Sequence, residues 1–534
     1  MSSARQPTES AYEKFSHAPI KYYEGHIPNV PVTMIGPDGT ILYENGARGL
    51  FREIMCRDDV DSLKQYLAID PWMIGGEDYD GPNYYSVFHF AHERGSHGVL
   101  RFLLSHQETV PECVSYRKEM WSLLNEAAHK ADVDFVRFLL DNHPAYADIH
   151  GRDTFGCTPI LEAASIWPGG YGEVDTREPS VEKSEAVMNL LLDGGASASD
   201  VAVHPERTTH TVLTSAVRWA SPELVKRLID GGADVHAKVT GRRLGLDYDP
   251  VSDMTAISFA MFHVNVNVIQ TLFDCRGSGV DIRDMVSSRD SSGSHLLHWV
   301  NRSYMSFAQK PYMLEAEQTQ MIEDIIKIIN ILLDIDPSAI NMQDSLGNTA
   351  LHYATQHPAR DYKQYNAILE LLCSKGADAS IRNNRKETPL HTILGHAFTA
   401  DKADIQAMGI LCDHGASVMD TDENGNSPLH LALAEMSPAD VVSFLLEQGA
   451  DPNLMNMKHN TPLHLAISYP YHGQESRKKQ DDIIGMVSKV AGNAGVKILQ
   501  NGDGKTAQQL LLEQKKLREE DDIQWLELRK PRAW

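Results

Sequence analysis

Cysteine is scarce in this chain, with 6 residues among 534, at positions 56, 113, 157, 275, 373 and 412. These positions form neither a C-x-x-C pair nor the dense pattern of a secreted disulfide framework. The pattern therefore excludes a fold stapled by disulfides. We expect reduced thiols that pack as small apolar side chains.

Long apolar runs are also missing. No stretch approaches the roughly 20 residues that an α-helix needs to span a bilayer. The segment Met1–Ser10 has no apolar core of the kind that a secretory signal peptide requires. We therefore expect a cytoplasmic protein, with the nucleus left open as a second location.

Positive charge is in short supply. The sequence has 49 Lys and Arg against 73 Asp and Glu, so the formal net charge is 49 − 73 = −24. Charge repulsion disfavours sequence-independent binding to nucleic acids and to anionic membranes. The composition predicts protein partners, with basic proteins as the favoured class, and no nucleic-acid or membrane partner.

Sequence strings that imitate chemical sites are all incomplete. Asp420–Gly425 matches the opening of an EF-hand calcium loop, but its twelfth position is Leu431 instead of a bidentate Glu. Gly502–Thr506 resembles the end of a phosphate-binding loop, but Leu499 stands where that motif needs Gly. Neither H-E-x-x-H nor G-x-S-x-G occurs. We therefore predict no catalytic, cofactor-binding or metal-binding residues.

A short word, in contrast, recurs along the chain. Thr461–Ala466 reads Thr-Pro-Leu-His-Leu-Ala, and close variants stand at Ser427–Ala432 and Thr349–Ala354. A second element follows each word at a steady distance. It ends in an apolar pair before Gly-Ala, with 446 − 427 = 19 positions from Ser427 to Leu446. The recurrence predicts two helices per repeated unit.

The word and its spacing resemble the ankyrin repeat, whose units of about 33 residues carry T-P-L-H-x-A in the first helix. Further units begin near positions 49, 86, 122, 158, 211, 255, 295, 388 and 506. The resemblance implies an all-α solenoid of stacked helix-turn-helix units with short β-hairpin fingers. Such arrays bind other proteins through a concave surface and the fingers.

The resemblance also assigns structural roles to the repeated residues. Thr or Ser caps the first helix, and Pro fits its first turn because the missing N–H costs nothing there. Gly376, Gly415 and Gly449 supply the left-handed residue that ends each second helix. In this family the motif histidine hydrogen-bonds backbone between fingers and helices. The structural histidines expected here are His89, His298, His352, His391, His430 and His464.

Insertions break the repeat near residues 165–183, 239–253, 301–322 and 469–480. Three of them lie between the two helices of a unit, and the second one lengthens a finger. Arg and aromatic residues within them are types enriched at interface hot spots. The alternative is that these loops are merely tolerated, since longer surface loops cost little entropy. The candidate partner-binding residues are Arg242, Arg243, Tyr248, Trp167, Tyr171, Tyr304, Phe307, Tyr312, Tyr469 and Tyr471.

The predicted organisation has three parts. Residues 1–45 form an extension with a hairpin cap, residues 46–505 hold about eleven repeats, and residues 506–534 hold a last degenerate repeat and a capping helix. Whether the irregular segment 239–322 divides the array into two blocks stays open at this point.

The predicted function is that of a scaffold or adaptor, monomeric by itself, that binds partner proteins. The alternative is a regulatory or inhibitory subunit of an enzyme complex. Catalysis by the chain itself is disfavoured, because no nucleophile, base and orienting group can be placed together from the sequence.

Overall fold

The computed structural model describes residues 31–35, 41–46, 54–69, 91–92, 94–106, 123–142, 147–153, 156–165, 181–203, 209–242, 250–277, 280–302, 315–356, 365–395, 404–469 and 474–528. The chain divides into two compact units. The first contains residues 1–170 and 174–205, and the second contains residues 171–173 and 206–534. The division therefore lies upstream of the irregular segment 239–322.

The first unit opens with the predicted hairpin, in which two antiparallel strands pair from Pro31 opposite Gly46 to Ile35 opposite Ile41. Helices follow in pairs, and the first helices of two successive pairs, α3 and α5 in the order given below, pack against each other. The described elements are β1 Pro31–Ile35, β2 Ile41–Gly46, α1 Val60–Ile69, α2 His97–His106, α3 Leu123–His129, α4 Val133–Asn142, α5 Pro159–Ser165, α6 Val181–Asp193 and β3 Val201–Val203.

The second unit begins with shorter helices and one long finger. This finger is an antiparallel strand pair that joins Val239 to Met254 and Arg242 to Pro250, at the place where the sequence predicts a lengthened finger. The elements are β4 Thr209–Thr211, α7 Val212–Ala216, α8 Pro222–Asp230, β5 Val239–Arg242, β6 Pro250–Met254, α9 Ala256–Phe262, α10 Val266–Asp274, α11 Ile282–Val286, α12 Leu296–Asn301 and α13 Glu315–Ile335.

The rest of the second unit is more regular. After a 3₁₀ turn at Pro337–Asn341, helix pairs alternate with turns up to a π-helical turn at Ala494–Ile498 and a long final helix. These helices are α14 Ala350–Thr355, α15 Asn366–Ser374, α16 Pro389–Gly395, α17 Ile405–Asp413, α18 Pro428–Ala434, α19 Ala439–Glu447, α20 Pro462–Ser468, α21 Gln474–Asn493 and α22 Ala507–Leu528.

Within the second unit the first helices form one stack and the second helices form another. The first stack runs through α7, α9, α12, α14, α16, α18, α20 and α22, each in contact with the next. The motif leucines between these helices, such as Leu390, Leu429 and Leu463, are fully buried. Each helix pair is too small to bury its apolar face alone, so stacking supplies the core. The predicted all-α ankyrin fold is confirmed.

The helix ends follow the predicted chemistry. At the start of α20, the Thr461 hydroxyl accepts the His464 N–H and Pro462 occupies the first turn. At the end of α15, Gly376 has φ of 97°, which favours glycine. The N–H groups of Gly376 and Ala377 bond to the carbonyls of Cys373 and Leu372. This pair of bonds is the Schellman arrangement, which satisfies the last carbonyls of the helix.

Two predicted insertions contain helix. The acidic residues Glu315 and Glu317 are the first turn of α13, a 21-residue helix. Acidic residues in a first turn stabilise the partial positive charge of a helix N-terminus. Likewise, Arg477–Lys479 lies within α21. These insertions therefore lengthen second helices. Among the described cysteines, Cys56, Cys275, Cys373 and Cys412 are free thiols.

Candidate functional site

The turns at the finger tips of the second unit are joined by main-chain hydrogen bonds. At each of six successive junctions, an N–H of one turn donates to a carbonyl of the preceding turn over 2.7–3.0 Å. We call this row of turns the finger edge. The bonds run from Ser291 to Ser252, Ser345 to Ser292, Asn384 to Leu346, Glu423 to Arg385, Met457 to Asn424 and Gly502 to Lys458.

One side chain shapes each turn of the finger edge. The Oδ1 atom of Asp422 accepts the N–H groups of Asn424 at 2.8 Å and Asn426 at 2.7 Å. Asp344 makes the same two bonds, to Leu346 and Asn348. Asp420, in the string that imitates a calcium loop, accepts a bond from Arg382 of the neighbouring finger. Asp420 and Asp422 of that string therefore have structural partners within the array.

The motif histidines tie each first helix to the next finger. In His352, Nδ1 accepts the Thr349 N–H at 3.1 Å, so Nε2 carries the proton and donates to the Glu387 carbonyl at 3.1 Å. The predicted structural role is thus confirmed for the described members. The corresponding Nε2 bonds reach Asn348 from His298, Asn426 from His391, Asn460 from His430 and Lys505 from His464.

Burial keeps these histidines neutral. It lowers the pKa of His298, His352 and His430 to about 4, and it lowers the pKa of His391 and His464 as well. Removing the charged form from water disfavours protonation. A neutral ring with one donor and one acceptor is what the two backbone bonds require.

The finger edge presents side chains that have no part in its backbone bonds. Leu346 is 43% exposed and Met457 is 69% exposed, although both are apolar. Other turns of the finger edge carry exposed charged side chains. The basic ones are Arg385, Lys386 and Lys458, and the acidic ones are Glu423 and Asp503. The tips therefore combine apolar anchors with a slight excess of positive charge on a strongly acidic chain.

A buried ion pair lies behind the finger edge. Arg302, just after α12, donates to Asp344 at 2.9 Å and to Ser294 at 3.0 Å. It also donates to the Tyr353 hydroxyl, and its guanidinium lies 3.9 Å from the centre of the Tyr353 ring. Asn348 completes the group by donating to Tyr353 at 3.2 Å. We call Arg302, Asp344, Asn348 and Tyr353 the arginine set.

The first unit fills the same four repeat positions differently. His129 lies seven residues after the position that caps the first helix of its unit, and Arg302 lies seven residues after the cap of its own unit. The Nδ1 atom of His129 lies 2.9 Å from the Glu162 carboxylate. Asp153 holds the finger turn by accepting the Cys157 N–H at 2.9 Å. The Glu162 carboxyl is also within hydrogen-bonding reach of Asp153 and of the Cys157 thiol. We call His129, Asp153, Cys157 and Glu162 the cysteine set.

A second histidine of the first unit is ion-paired. His97 Nε2 lies 2.7 Å from Asp132, and this hydrogen bond raises the pKa of His97 above its ordinary value. Burial would raise the pKa of Asp132, but the bond from His97 and the nearby charge hold it below its usual range. The pairing therefore favours the charged form of both side chains.

The structure describes only part of the predicted partner-binding set. Arg242 ends β5, and Tyr469 is half-buried after α20, where its carbonyl accepts a bond from Gln480. The remaining candidates lie outside the described residues: Arg243, Tyr248, Trp167, Tyr171, Tyr304, Phe307, Tyr312 and Tyr471.

Sequence reasoning missed both four-residue sets. A signal was present, because a residue seven positions after the cap of one unit faces the fourth residue after the cap of the next. Arg302 and Tyr353 meet in this way, and so do His129 and Glu162. Aligning the units position by position would have paired these side chains.

The stacked helix pairs, finger edge and motif histidines define an ankyrin-repeat protein. The family model for ankyrin repeats, in three copies, matches residues 358–456. Residues 358–456 therefore match ankyrin repeats, and modules of this kind generally bind other proteins.

Relatives with printed names cover parts of the chain. It is 33% identical over 147 residues to an intracellular phospholipase A2 of Caenorhabditis elegans, covering 26% of this chain and 13% of that protein. It is 30% identical over 237 residues to a putative ankyrin repeat protein of Fowlpox virus, covering 40% of this chain and 43% of that protein.

A third relative is a much longer chain. The chain is 26% identical over 241 residues to neurogenic locus notch homolog protein 2 of Homo sapiens. It is also 26% identical over 245 residues to the human notch homolog 1. The match covers 45% of this chain and 8% of notch homolog 2. The chain thus spans less than half the length of each relative named here. Within the described residues, no helix combines the length and apolar character needed to cross a membrane.

Proposed function

We propose that this chain is a protein-interaction adaptor whose finger edge docks partner proteins. The observation that carries the proposal is the finger edge itself. Main-chain bonds join its turns from Ser252 to Gly502, and buried side chains such as Asp422 shape the turns, so the exposed Leu346 and Met457 side chains are not needed to hold that shape. Residues exposed on a rigid support lose little freedom on binding, which favours affinity.

The exposed apolar tips indicate which kind of partner surface would bind to the finger edge. An exposed methionine adapts to irregular apolar surfaces, and Met457 together with Leu346 offers two such anchors. Between them stand the basic tips Arg385 and Lys386 and the acidic Glu423. We therefore propose a partner surface with an apolar patch bordered by charges of both signs. The net charge of −24 still favours basic proteins in long-range attraction.

The proposal also covers the oligomeric state, the location and the lack of catalytic activity of the protein. We propose that the protein acts as a monomer, that it works in the cytoplasm with the nucleus as a second location, and that it carries out no reaction itself. In support of the last statement, the described motif histidines are held neutral between two backbone bonds, which occupies both ring nitrogens. A general base needs a free nitrogen within reach of its substrate.

The alternative is a regulatory or inhibitory subunit of an enzyme complex. It is favoured by the similarity to 13% of a chain named as an intracellular phospholipase A2, because that protein joins a similar segment to an enzyme. Both versions use the same docking surface, so they differ in the partner and not in the site.

The test compares partner capture by two matched double variants of the full chain. Leu346→Glu with Met457→Glu alters two apolar tips of the finger edge. Val490→Glu with Ile498→Glu alters two equally exposed apolar residues near the end of the array, at 54% and 67% exposure. Proteins retained from native lysate are quantified by mass spectrometry, after far-UV circular dichroism and melting show that both variants fold.

We expect the finger variant to lose the specific partners of the wild-type chain and the matched variant to keep them. Equal retention by both would overturn the finger edge as the docking surface. If the wild-type chain retains nothing above a blank resin, the adaptor proposal itself fails. Retained enzymes whose activity changes on adding the chain would favour the regulatory alternative.

A further inference from the structure

The cysteine set gathers four metal-binding side chains at one junction of the first unit. Donor atoms of Asp153, Cys157 and Glu162 all lie within 4.8 Å of one another. His129 adds a ring nitrogen, whose Nδ1 is 2.9 Å from the Glu162 carboxylate. A thiolate, an imidazole and two carboxylates are the ligand types that Zn²⁺ accepts in proteins.

The backbone around Cys157 is held firmly. Its N–H donates to Asp153, and its carbonyl accepts bonds from Asn125 Nδ2 at 2.8 Å and from the Asp153 N–H at 3.0 Å. The Cys157 side chain is buried, whereas His129 is 61% exposed. The group therefore has a fixed inner wall and an outer side that an ion can reach from solvent.

The two carboxyls of the group provide oxygen ligands of negative charge for a cation. Asp153 and Glu162 are two carboxyl groups in hydrogen-bonding contact, and such a contact between carboxyls needs a shared proton. The nearby Arg152 donates to the carbonyls of Gly156 and Val201. In the arginine set, the guanidinium of Arg302 occupies the corresponding junction and balances Asp344. In the cysteine set, the exposed imidazole of His129 lies at the position of that guanidinium, beside the carboxyl of Glu162.

We propose that Asp153, Cys157, Glu162 and His129 form a binding site for a divalent transition-metal ion, with Zn²⁺ as the best match. Donors around tetrahedral zinc lie about 3.5 Å apart, given bond lengths of about 2.0 to 2.3 Å. The donors of Asp153, Cys157 and Glu162, which lie within 4.8 Å of one another, reach that spacing by small rotations of side chains, and His129 joins them from its contact with Glu162. Asp153 Oδ1 also accepts the Cys157 N–H, so the carboxylate is held beside the thiol.

Binding exchanges protons for the ion. The Cys157 S–H bond breaks, a metal–sulfur bond forms, and the proton leaves to solvent; the proton on the His129 nitrogen that binds leaves in the same way. Burial, followed by the charge of Glu162, raises the pKa of the Cys157 thiol to about 12 in the metal-free protein. A bound divalent cation reverses that effect, because it stabilises the thiolate directly.

The experiment measures binding of Zn²⁺ and Co²⁺ to the full chain after dialysis against chelator. Isothermal titration with Zn²⁺ gives affinity and stoichiometry, and Co²⁺ absorption reports thiolate coordination and a tetrahedral field. The variants are Cys157→Ser and His129→Ala, with Cys373→Ser as the matched control for loss of another buried thiol.

We expect one Zn²⁺ per chain, a sulfur-to-cobalt charge-transfer band, and a melting temperature raised by Zn²⁺. Cys157→Ser should abolish the charge-transfer band and weaken binding at least about 100-fold, since loss of a mere supporting contact already costs 10- to 100-fold. Cys373→Ser should match the wild type. His129→Ala, at an exposed position, should fold normally and weaken binding at least about 10-fold.

Three results would overturn the proposal. They are a Co²⁺ spectrum without the charge-transfer band, an affinity unchanged by both Cys157→Ser and His129→Ala, and an equal loss in Cys373→Ser, which would mean adventitious binding to thiols. If Cys157→Ser fails to fold, the His129→Ala titration decides alone.

Discussion

The arginine set and the cysteine set occupy the same four positions of the repeat in two different units. In the second unit these positions hold a buried guanidinium on a buried carboxylate, with 6% and 0% of the side chains exposed. In the first unit they hold an imidazole that is 61% exposed and a carboxylate that is 18% exposed. The repeat fixes where four side chains meet, and the residue types decide whether they form a closed contact or an open site.

The histidines of the two units also differ, both in their exposure to solvent and in the direction of their pKa shifts. Motif histidines of the second unit are buried and neutral, with pKa values lowered by burial. His97 of the first unit is half-exposed and paired with Asp132, which raises its pKa. One residue type therefore contributes opposite pH dependence to the two units, because the partner is a backbone carbonyl in one and a carboxylate in the other.

The largest expected difference is between Arg302→Ala and His129→Ala. Removing Arg302 leaves Asp344 buried without its cation, which costs about 3–5 kcal/mol of unfolding free energy. Removing His129 costs less than about 1 kcal/mol, because surface ion pairs contribute little. Hydrogen exchange read by mass spectrometry measures both, segment by segment. Equal costs would mean that the two sets are equivalent and would break the comparison.

A smaller difference should appear in the pH dependence of stability. The pKa of His430 falls from an unfolded value near 6.5 to about 4 in the folded protein. Its stabilising contribution is therefore complete above pH 6.5 and is lost as the pH falls towards 4. His430→Gln should remove on the order of 1–2 kcal/mol of the acid destabilisation seen at pH 5. Glutamine also keeps the helix cap, since this position accepts Glu or Gln.

His97→Gln in the first unit should act with the opposite sign. Because the folded pKa of His97 is raised, its contribution is complete below pH 6.5 and is lost as the pH rises through the folded value. The variant should therefore lose stability mainly at acid pH. Denaturant titrations at several pH values, followed by local hydrogen exchange, test both variants, and slopes of the same sign would contradict the assignment.

The smallest expected effect is the loss of unfolding free energy when a helix-ending glycine is replaced, and this loss should be equal in both units. Gly195 and Gly376 end second helices with φ of 97° each, and an added Cβ at either would meet nothing within 4 Å. Gly195→Ala and Gly376→Ala should each cost about 1–2 kcal/mol, the cost of the left-handed conformation alone. Gly347→Ala serves as a contrast, because its Cβ would come within 2.7 Å of the Asn384 nitrogen in the finger edge. Unequal costs for the first two variants would show that the helix ends differ between units.

The sequence was sufficient for features that repeat and insufficient for those that occur once. The caps, the Gly376 ending and the hydrogen bonds of His352 follow from local chemistry that recurs in several units. The division between the units near residue 206 could not be read in this way, because it depends on packing summed over many residues. The helical start of α13 was missed since the predicted insertion was counted as loop.

The candidate site was less accessible to sequence reasoning. Aromatic and basic residues in insertions drew the prediction, yet the finger edge depends on main-chain bonds that carry no residue signature, such as Asn384 to Leu346. Arg302 was passed over because a single arginine beside an insertion looks like a surface residue. Its burial depends on Asp344, which lies 42 positions away.

The backbone bonds of the finger edge separate shape from chemistry. Every junction from Ser252 to Gly502 is closed by an amide and a carbonyl, groups that a substitution of the side chain leaves in place. Tips such as Arg385 and Met457 can therefore be exchanged while the register of the fingers persists. A family built on this plan can change what it recognises through point substitutions at the tips, without a new fold for each new partner.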